Sequence, residues 1–438
     1  MKIALIPMAS SGRINICTAL ARTLATFNHE CVFILPAVWT ATLKDSGFQV
    51  ETFEDTTVAP SDDVRSSSSN LISSQAAVFS LPALQQFPLV GAHGFKQCCD
   101  SIMKDNGSYA ETIKRVKPDL IIFDFWTTVP AFVQSGIPYV ALFSCSPPMI
   151  YWKSDAPPFS SGLGKGDDLE LIKQTRERFS KSLEPIRKQF DEYLESVGIN
   201  LELEDRLDFS LLGQSPHLNI YLYPRDLDYS EYGPVPEKWF RLEHMVRGSD
   251  DESPLGLPDD SWLNRTDQND GKKLILFSLG SMATALIDIM NRLIGILAHS
   301  PHRFIVSKGI HHESIELPDN MIGGKYLNQM KIMPKVDLVI HHGGNSTFIE
   351  TFYFGKPCII LPILGDQFDN GRRVVDLKVG ASFSPHSVTQ EQLLSAIDSI
   401  LEDEQLLARV EKIGNNLRNT NSHKELNEKL ESIVNNQK

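Results

Sequence analysis

The chain has 438 residues, long enough for two large domains, and at 42% hydrophobic and 22% charged residues it has the composition of a globular protein. A net charge of −13 argues against a general nucleic-acid binder and against broad attachment to anionic membranes, leaving room only for a local basic pocket. Cys17, Cys31, Cys98, Cys99, Cys145 and Cys358 form no CxxC pair, which favours reduced thiols in an intracellular protein over a disulfide framework. No apolar run has membrane-helix length, and Met1-Lys2-Ile3-Ala4-Leu5-Ile6 is too short for a signal peptide, so a cytoplasmic protein is expected.

In chain order, Ile3 to Ile6 reads as a buried strand, and Ile14, Cys17, Leu20, Ala21 and Leu24 recur at helical spacing after it. Cys31 to Leu35, Leu120 to Phe123 and Tyr139 to Phe143 continue the strand series, with a Ser-rich loop at Pro60 to Ser74. A long mixed insertion runs from Pro147 to Asn200, with a charged helical stretch from Leu169 to Leu194. A second series follows at Leu274 to Phe277, Arg303 to Val306, Asp337 to Ile340 and Cys358 to Leu361, with helices over Ala285 to Leu297 and Gln390 to Leu401. Alternation of short aliphatic runs with helical segments predicts parallel sheets wrapped by helices, an α/β class. The polar stretch from Gly248 to Gly271 suits a linker between two doubly wound domains.

The densest chemistry lies between Tyr326 and Asn370. A strand ending at Ile340 runs into His341-His342-Gly343-Gly344-Asn345-Ser346-Thr347, then a helix through Phe354. A small-residue turn at a helix N-terminus leaves backbone N–H groups pointing outward at the positive end of the helix dipole, an anion site suited to a diphosphate. Ser346 or Thr347 can cap that helix, Glu350 on its first turns can accept two ribose hydroxyls, and Asp366-Gln367 ends the next strand, where open α/β sheets bind ligands. The same pattern is compatible with a plain tight connection and an ordinary cap; the joint spacing favours the functional reading.

Tyr326-Leu327-Asn328-Gln329, Leu338 to Thr347, Glu350, Gly355, Pro357, Pro362, Asp366-Gln367 and Asn370 together resemble the donor signature of the UDP-glycosyltransferases. The doubled histidine and the interval from Tyr326 to His342 look closer to bacterial antibiotic-type members than to plant ones. Leu279-Gly280-Ser281 is similar to the family's second diphosphate loop, while Pro7 to Asn15 and Asp124 with Gly136-Ile137-Pro138 resemble its N-terminal half.

The resemblance implies a GT-B fold: two facing Rossmann-like domains with a cleft between them. Residues 1–250 would hold the acceptor, 251–272 would link, 273–404 would hold the UDP-sugar, and helices in 405–438 would pack back on the first domain. By the same resemblance, Tyr326 would stack on uracil beside Leu327, and Gln329 and Glu350 would hold the nucleoside. His342, Gly344, Asn345, Ser346, Thr347 and Ser281 would surround the diphosphate, and Asp366 and Gln367 would bind sugar hydroxyls, with glucose favoured by Gln367. No metal and no cofactor beyond the UDP-sugar co-substrate is implied. The implied reaction is inverting transfer to a hydroxyl of a small lipophilic or phenolic acceptor, a xenobiotic, flavonoid or other secondary metabolite.

One position departs from the family. The usual catalytic histidine after the first strand is matched by Arg13, although its orienting aspartate is matched by Asp124. Arginine accepts no proton at working pH. Asp124 acting as base, Arg13 lowering the pKa of an acidic acceptor, a sugar-nucleotide-binding protein with weak transfer, and a base elsewhere such as His93 are the open readings. An epimerase and a dinucleotide dehydrogenase fit less well, the latter because neither first-strand loop carries GxGxxG.

Overall fold

The computed structural model describes residues 1–43, 47–53, 75–151, 155–200, 214–246, 255–258, 261–263, 271–280 and 284–436. The Ser-rich loop, Trp152, Ser281 and most of the expected linker lie outside the described residues. Two compact units are present, each built on one sheet.

The first unit contains β1 (Lys2–Pro7), β2 (Glu30–Pro36), β3 (Gln49–Phe53), β4 (Leu120–Asp124), β5 (Tyr139–Phe143), β6 (Leu218–Leu222) and β7 (Trp239–Leu242). They pair all in parallel in the order β3-β2-β1-β4-β5-β6-β7, with Pro7 level with Asp124. Strands such as β1 and β4 are buried almost throughout, which is what a sheet covered on both faces requires of Ile, Leu and Phe runs. Helices α1 (Ser11–Thr26), α2 (Ala92–Val116) and α3 (Leu169–Ser196) accompany this sheet. The charged run of the insertion is thus a real helix, started by Asp168, whose side chain accepts the Glu170 N–H at 3.0 Å. Sequence periodicity alone missed β3, β6, β7 and the long α2.

The second unit contains β8 (Leu274–Ser278), β9 (Arg303–Ser307), β10 (Met321–Gly324), β11 (Leu338–His341), β12 (Cys358–Ile360) and β13 (Gly380–Ser382), parallel in the order β10-β9-β8-β11-β12-β13. Its helices are α4 (Ile287–Leu297), α5 (Asn345–Tyr353), α6 (Gln367–Asp376), α7 (Gln390–Glu402) and α8 (Glu404–Arg418). A capping box between Thr389 and Gln392 starts α7, and Asp403 caps α8. Short β10 and β13 escaped the sequence because their runs, Met-Ile-Gly-Gly and Gly-Ala-Ser, lack aliphatic density.

The expected domain limits shift. The first unit closes at Met245, residues 75–83 group with the second unit, and the chain returns to the first unit at Thr420. A return beginning at 405 does not occur, because α8 packs on α5 inside the second unit. Only α9 (Ser422–Asn435) packs on β7, burying Leu426, Leu430 and Val434.

Among the described residues no helix is long and apolar enough to cross a membrane.

Candidate active site

In both sheets the chain reverses direction of winding beside the first strand, between β1 and β4 and between β8 and β11. Ligands in doubly wound sheets bind at such switch points, beyond the carboxyl ends of the strands. The candidate residues of each unit fall there.

In the second unit, β11 ends at His341 level with Ser278, so the loops after β8 and β11 lie side by side. Gly343, at φ +89°, turns the chain from β11 into α5, a left-handed conformation that glycine takes without steric cost. The Asn370 amide donates to the Gly343 carbonyl at 2.9 Å, and the Gly343 N–H donates to His341 Nδ1 at 3.1 Å, fixing the turn. The first turn of α5, Asn345 to Thr347, then presents N–H groups without intrahelical acceptors, and no acidic residue stands there.

The His342 imidazole lies between two glycines. A Cβ on Gly280 would come within 2.5 Å of its Cε1, and one on Gly344 within 2.5 Å of its Nε2. Both positions must lack a side chain for the ring to sit there. Burial lowers the His342 pKa to about 4 against a hydrogen bond to the Ser278 backbone, and burial followed by the His342 neighbour lowers that of His341 to about 3. His342 is therefore neutral at pH 7. Its single ring N–H is engaged by the Ser278 backbone, so the positive charge density at this turn comes from the helix end.

The remaining donor-side candidates divide. Gln329 starts a short helix, and its amide donates to the Ser278 hydroxyl at 2.9 Å. Glu350 is buried on α5. Gln367 is committed at one end: its Oε1 accepts the Ile363 and Leu364 N–H groups at 2.9 and 3.1 Å, shaping the loop after β12 and leaving the NH2 for a ligand. Asp366 sits partly exposed at the start of α6. Leu327 packs its side chain on the core around Leu263 and Leu276, so its contribution to a ligand is confined to its backbone. The Tyr326 ring has the Lys325 ammonium 5.5 Å from its centroid. Sequence reasoning passed over Ser278 and the closeness of Gly280 to His342, since neither partner is near in the chain.

In the first unit, Arg13 in the first turn of α1 meets Asp124 at the end of β4. Arg13 Nη1 lies 2.5 Å from Asp124 Oδ1 and 2.9 Å from the Asp124 carbonyl. Its guanidinium lies 4.7 Å from the Trp126 ring centre, and Nη2 is 3.8 Å from Cys145 Sγ. Arg13 is 6% exposed and Asp124 1%. Burial pushes the Asp124 carboxyl above its usual range, with Arg13 and the Ser144 hydroxyl pulling the other way. His93 lies exposed on α2. The aromatic residues of the N-terminal region are largely core: Phe53 and Phe125 pack edge-on to Tyr109, and Phe87 stacks on Phe179 at 4.2 Å. Trp126, 4.9 Å from Phe95, borders the ion pair. Among the described residues no group of three metal-ligating side chains is placed to hold an ion.

Residues 292–433 match the family model described as "Erythromycin biosynthesis protein CIII-like, C-terminal domain". Over 306 residues, covering 69% of each chain, the protein is 26% identical to the NDP-glycosyltransferase YjiC of Bacillus subtilis strain 168. Two solved structures share the fold from end to end. The glycotransferase of kitacinnamycin has TM-score 0.69 at 18% identity, covering 99% of this chain and 98% of its own. The glycosyltransferase VinC, solved in complex with DTDP, has TM-score 0.68 at 14% identity and covers 100% of both. The fold is thus GT-B, two Rossmann-like domains, as the signature implied. The chain is thus similar to glycosyltransferases, in sequence over 69% of its length and in fold over nearly all of it.

Proposed function

We propose that the protein transfers a hexose, glucose, from its UDP-linked form to an oxygen of a small lipophilic or phenolic acceptor, with inversion. The observation that carries this reading is the anion cradle: the uncapped start of α5 beside a neutral His342 wedged between Gly280 and Gly344. The acceptor oxygen attacks the anomeric carbon on the face opposite the diphosphate, so an α-linked donor gives a β-glycoside. Charge developing on the leaving diphosphate is met by the N–H groups at the helix end, already oriented before reaction. The Gln367 NH2 and Asp366 are the candidates for sugar hydroxyls, Gln329 and Glu350 for the nucleoside. Ser281, outside the described residues, keeps its proposed diphosphate role from the family resemblance.

The donor base is the finer question, because VinC was solved with a thymidine diphosphate. Calorimetry with UDP and dTDP separates the two, and mass spectrometry of UDP-glucose incubated with the protein and phenols tests transfer. UDP binding with a hexose-bearing phenol is expected; preferential dTDP binding would move the donor to thymidine sugars. The buried Arg13–Asp124 pair favours one rival, a sugar-nucleotide-binding protein with weak transfer. That rival predicts UDP binding with no product from any acceptor.

A further inference from the structure

We propose that residues 255–257, inside the stretch that reads in sequence as a plain linker, are part of the donor half-site. They clamp the loop at residues 325–328 and so set how tightly and how selectively the nucleobase of the donor is held. This deepens the reading above and rests on it, since there the same loop meets the base.

The loop spans from the edge of the second sheet to its switch point. It leaves β10 at Gly324, and at its far end the Gln329 amide donates to the hydroxyl of Ser278, the last residue of β8. Ligands of doubly wound sheets bind beside that point. Tyr326 gives the loop an aromatic face, but stacking by itself accepts any base. Discrimination between bases then depends on the height and tilt at which the loop backbone is held, because hydrogen bonds weaken steeply with misalignment.

Three contacts tie that backbone to residues 255–257. The Leu255 carbonyl accepts the Asn328 N–H at 3.0 Å. Leu255 and Leu257 pack, together with Leu327 of the loop, against the core around Leu263 and Leu276. Between them Gly256, at φ +77°, brings its backbone against the loop: a Cβ there would overlap the Tyr326 carbonyl oxygen and lie 3.3 Å from the Leu327 Cα. From the other side, a Cβ on Gly324 would overlap the Gly256 carbonyl oxygen. Backbone meets backbone at this crossing, so no side-chain end can swing away to make room.

The start of the loop is pinned as well. The Lys325 carbonyl accepts the Gly309 N–H at 2.9 Å, and the Gly324 carbonyl accepts that of Lys308 at 2.9 Å, which extends the pairing of β10 with β9. A push at the crossing is therefore taken up at Tyr326 and Leu327. The start of α5, to which the diphosphate is assigned, makes none of these contacts, so base and diphosphate binding should separate on substitution.

The test is calorimetric titration of UDP, ADP and inorganic diphosphate into the native chain and into Gly256→Ala, Gly324→Ala and Gly271→Ala. The first two press on one crossing from opposite sides, and Gly324 is not left-handed, so an effect they share is not backbone strain. Gly271 is the control: it is left-handed at φ +67°, with nothing within 4 Å of its Cβ position. Gly256→Ala and Gly324→Ala are expected to weaken UDP at least about fivefold, the low end of one base–aromatic stack. They should narrow the preference for UDP over ADP and leave diphosphate binding within about twofold, whereas Gly271→Ala should match the native chain. A thermal melt follows folding, and Leu257→Ala, which loosens the clamp without a clash, should shift UDP against diphosphate in the same direction. UDP binding unchanged in both crossing variants, UDP and diphosphate weakened equally, or the same loss in Gly271→Ala overturns the proposal and leaves the donor reading standing. A native chain that binds UDP no more tightly than inorganic diphosphate removes the base-binding reading of the loop itself.

Discussion

Single glycines and single charges shape the two candidate half-sites. Gly344 and Gly280 each leave room for the His342 ring, and an alanine at either would drive a methyl to within 2.5 Å of it. Gly344→Ala is therefore expected to expel the imidazole and weaken UDP binding at least about tenfold, equivalent to about 1.4 kcal/mol, with the melting temperature little changed. Calorimetry beside a thermal melt checks both. The histidines also set a pH response. Burial holds His341 and His244 at about 3 and His342 at about 4, below their ordinary value of 6.5. The unfolded chain takes up protons at these positions as pH falls through about 6.5, while the folded chain does so only near 3 to 4. Stability from these groups is therefore full above pH 6.5 and declines through the interval between the two values, by at most about 1.4 kcal/mol per pH unit for each histidine. Urea denaturation at pH 7 and pH 5 should show the loss, and His244→Gln should reduce the slope; an unchanged midpoint between the two pH values contradicts the assignment.

At the level of elements, the cradle depends on how α5 is held. Its end turns at Gly355, φ +63°, and there α8 passes so close that a Cβ on Gly414 would lie 2.8 Å from the Gly355 Cα and 2.9 Å from the Phe352 carbonyl. Those are backbone atoms, which cannot swing aside. Gly414→Ala is expected to force α8 away from α5 and cost about 1–3 kcal/mol, the range of overpacking in a filled core. A denaturant midpoint lowered with unchanged slope would be the signature. An alanine tolerated without loss would mean that the two helices are less tightly seated. Glycine at 414 reads in sequence as a weak helix position, and only the crossing of α8 over α5 shows why a larger residue is excluded.

For the molecule as a whole, the C-terminal segment is divided between the units. Glu404–Arg418 belongs to the second, whereas Ser422–Asn435 belongs to the first. There His423 Nε2 lies 2.9 Å from the His244 carbonyl, His29 Nε2 2.6 Å from Asn427 Oδ1, and three apolar side chains are buried. Truncation after Asn419 should remove at least about 3 kcal/mol from the first unit, since full burial of one leucine contributes about 1.5–3 kcal/mol. UDP binding, assigned to the second unit, should persist. Loss of UDP binding in a truncated chain whose second unit remains folded would place part of the donor site in α9.

The sequence by itself determined the class of fold and the two sheets, and it marked a candidate donor half-site. These are written in local patterns: aliphatic runs for buried strands, and Gly-Gly-Asn-Ser-Thr after a strand for an anion-binding helix start. By resemblance it also put Arg13 where related sequences carry a histidine. Weakly apolar edge strands such as β10 and β13, and the point at which the chain returns to the first unit, were not legible, because edge pairing and helix docking are decided by neighbours distant in sequence. The state of Asp124 was likewise decided only in three dimensions. In sequence, Arg13 and Asp124 are 111 positions apart, and burial and pairing act on the carboxyl in opposite directions. Strand order set β1 beside β4 and closed the pair against Trp126, a contact that neither residue alone foretells.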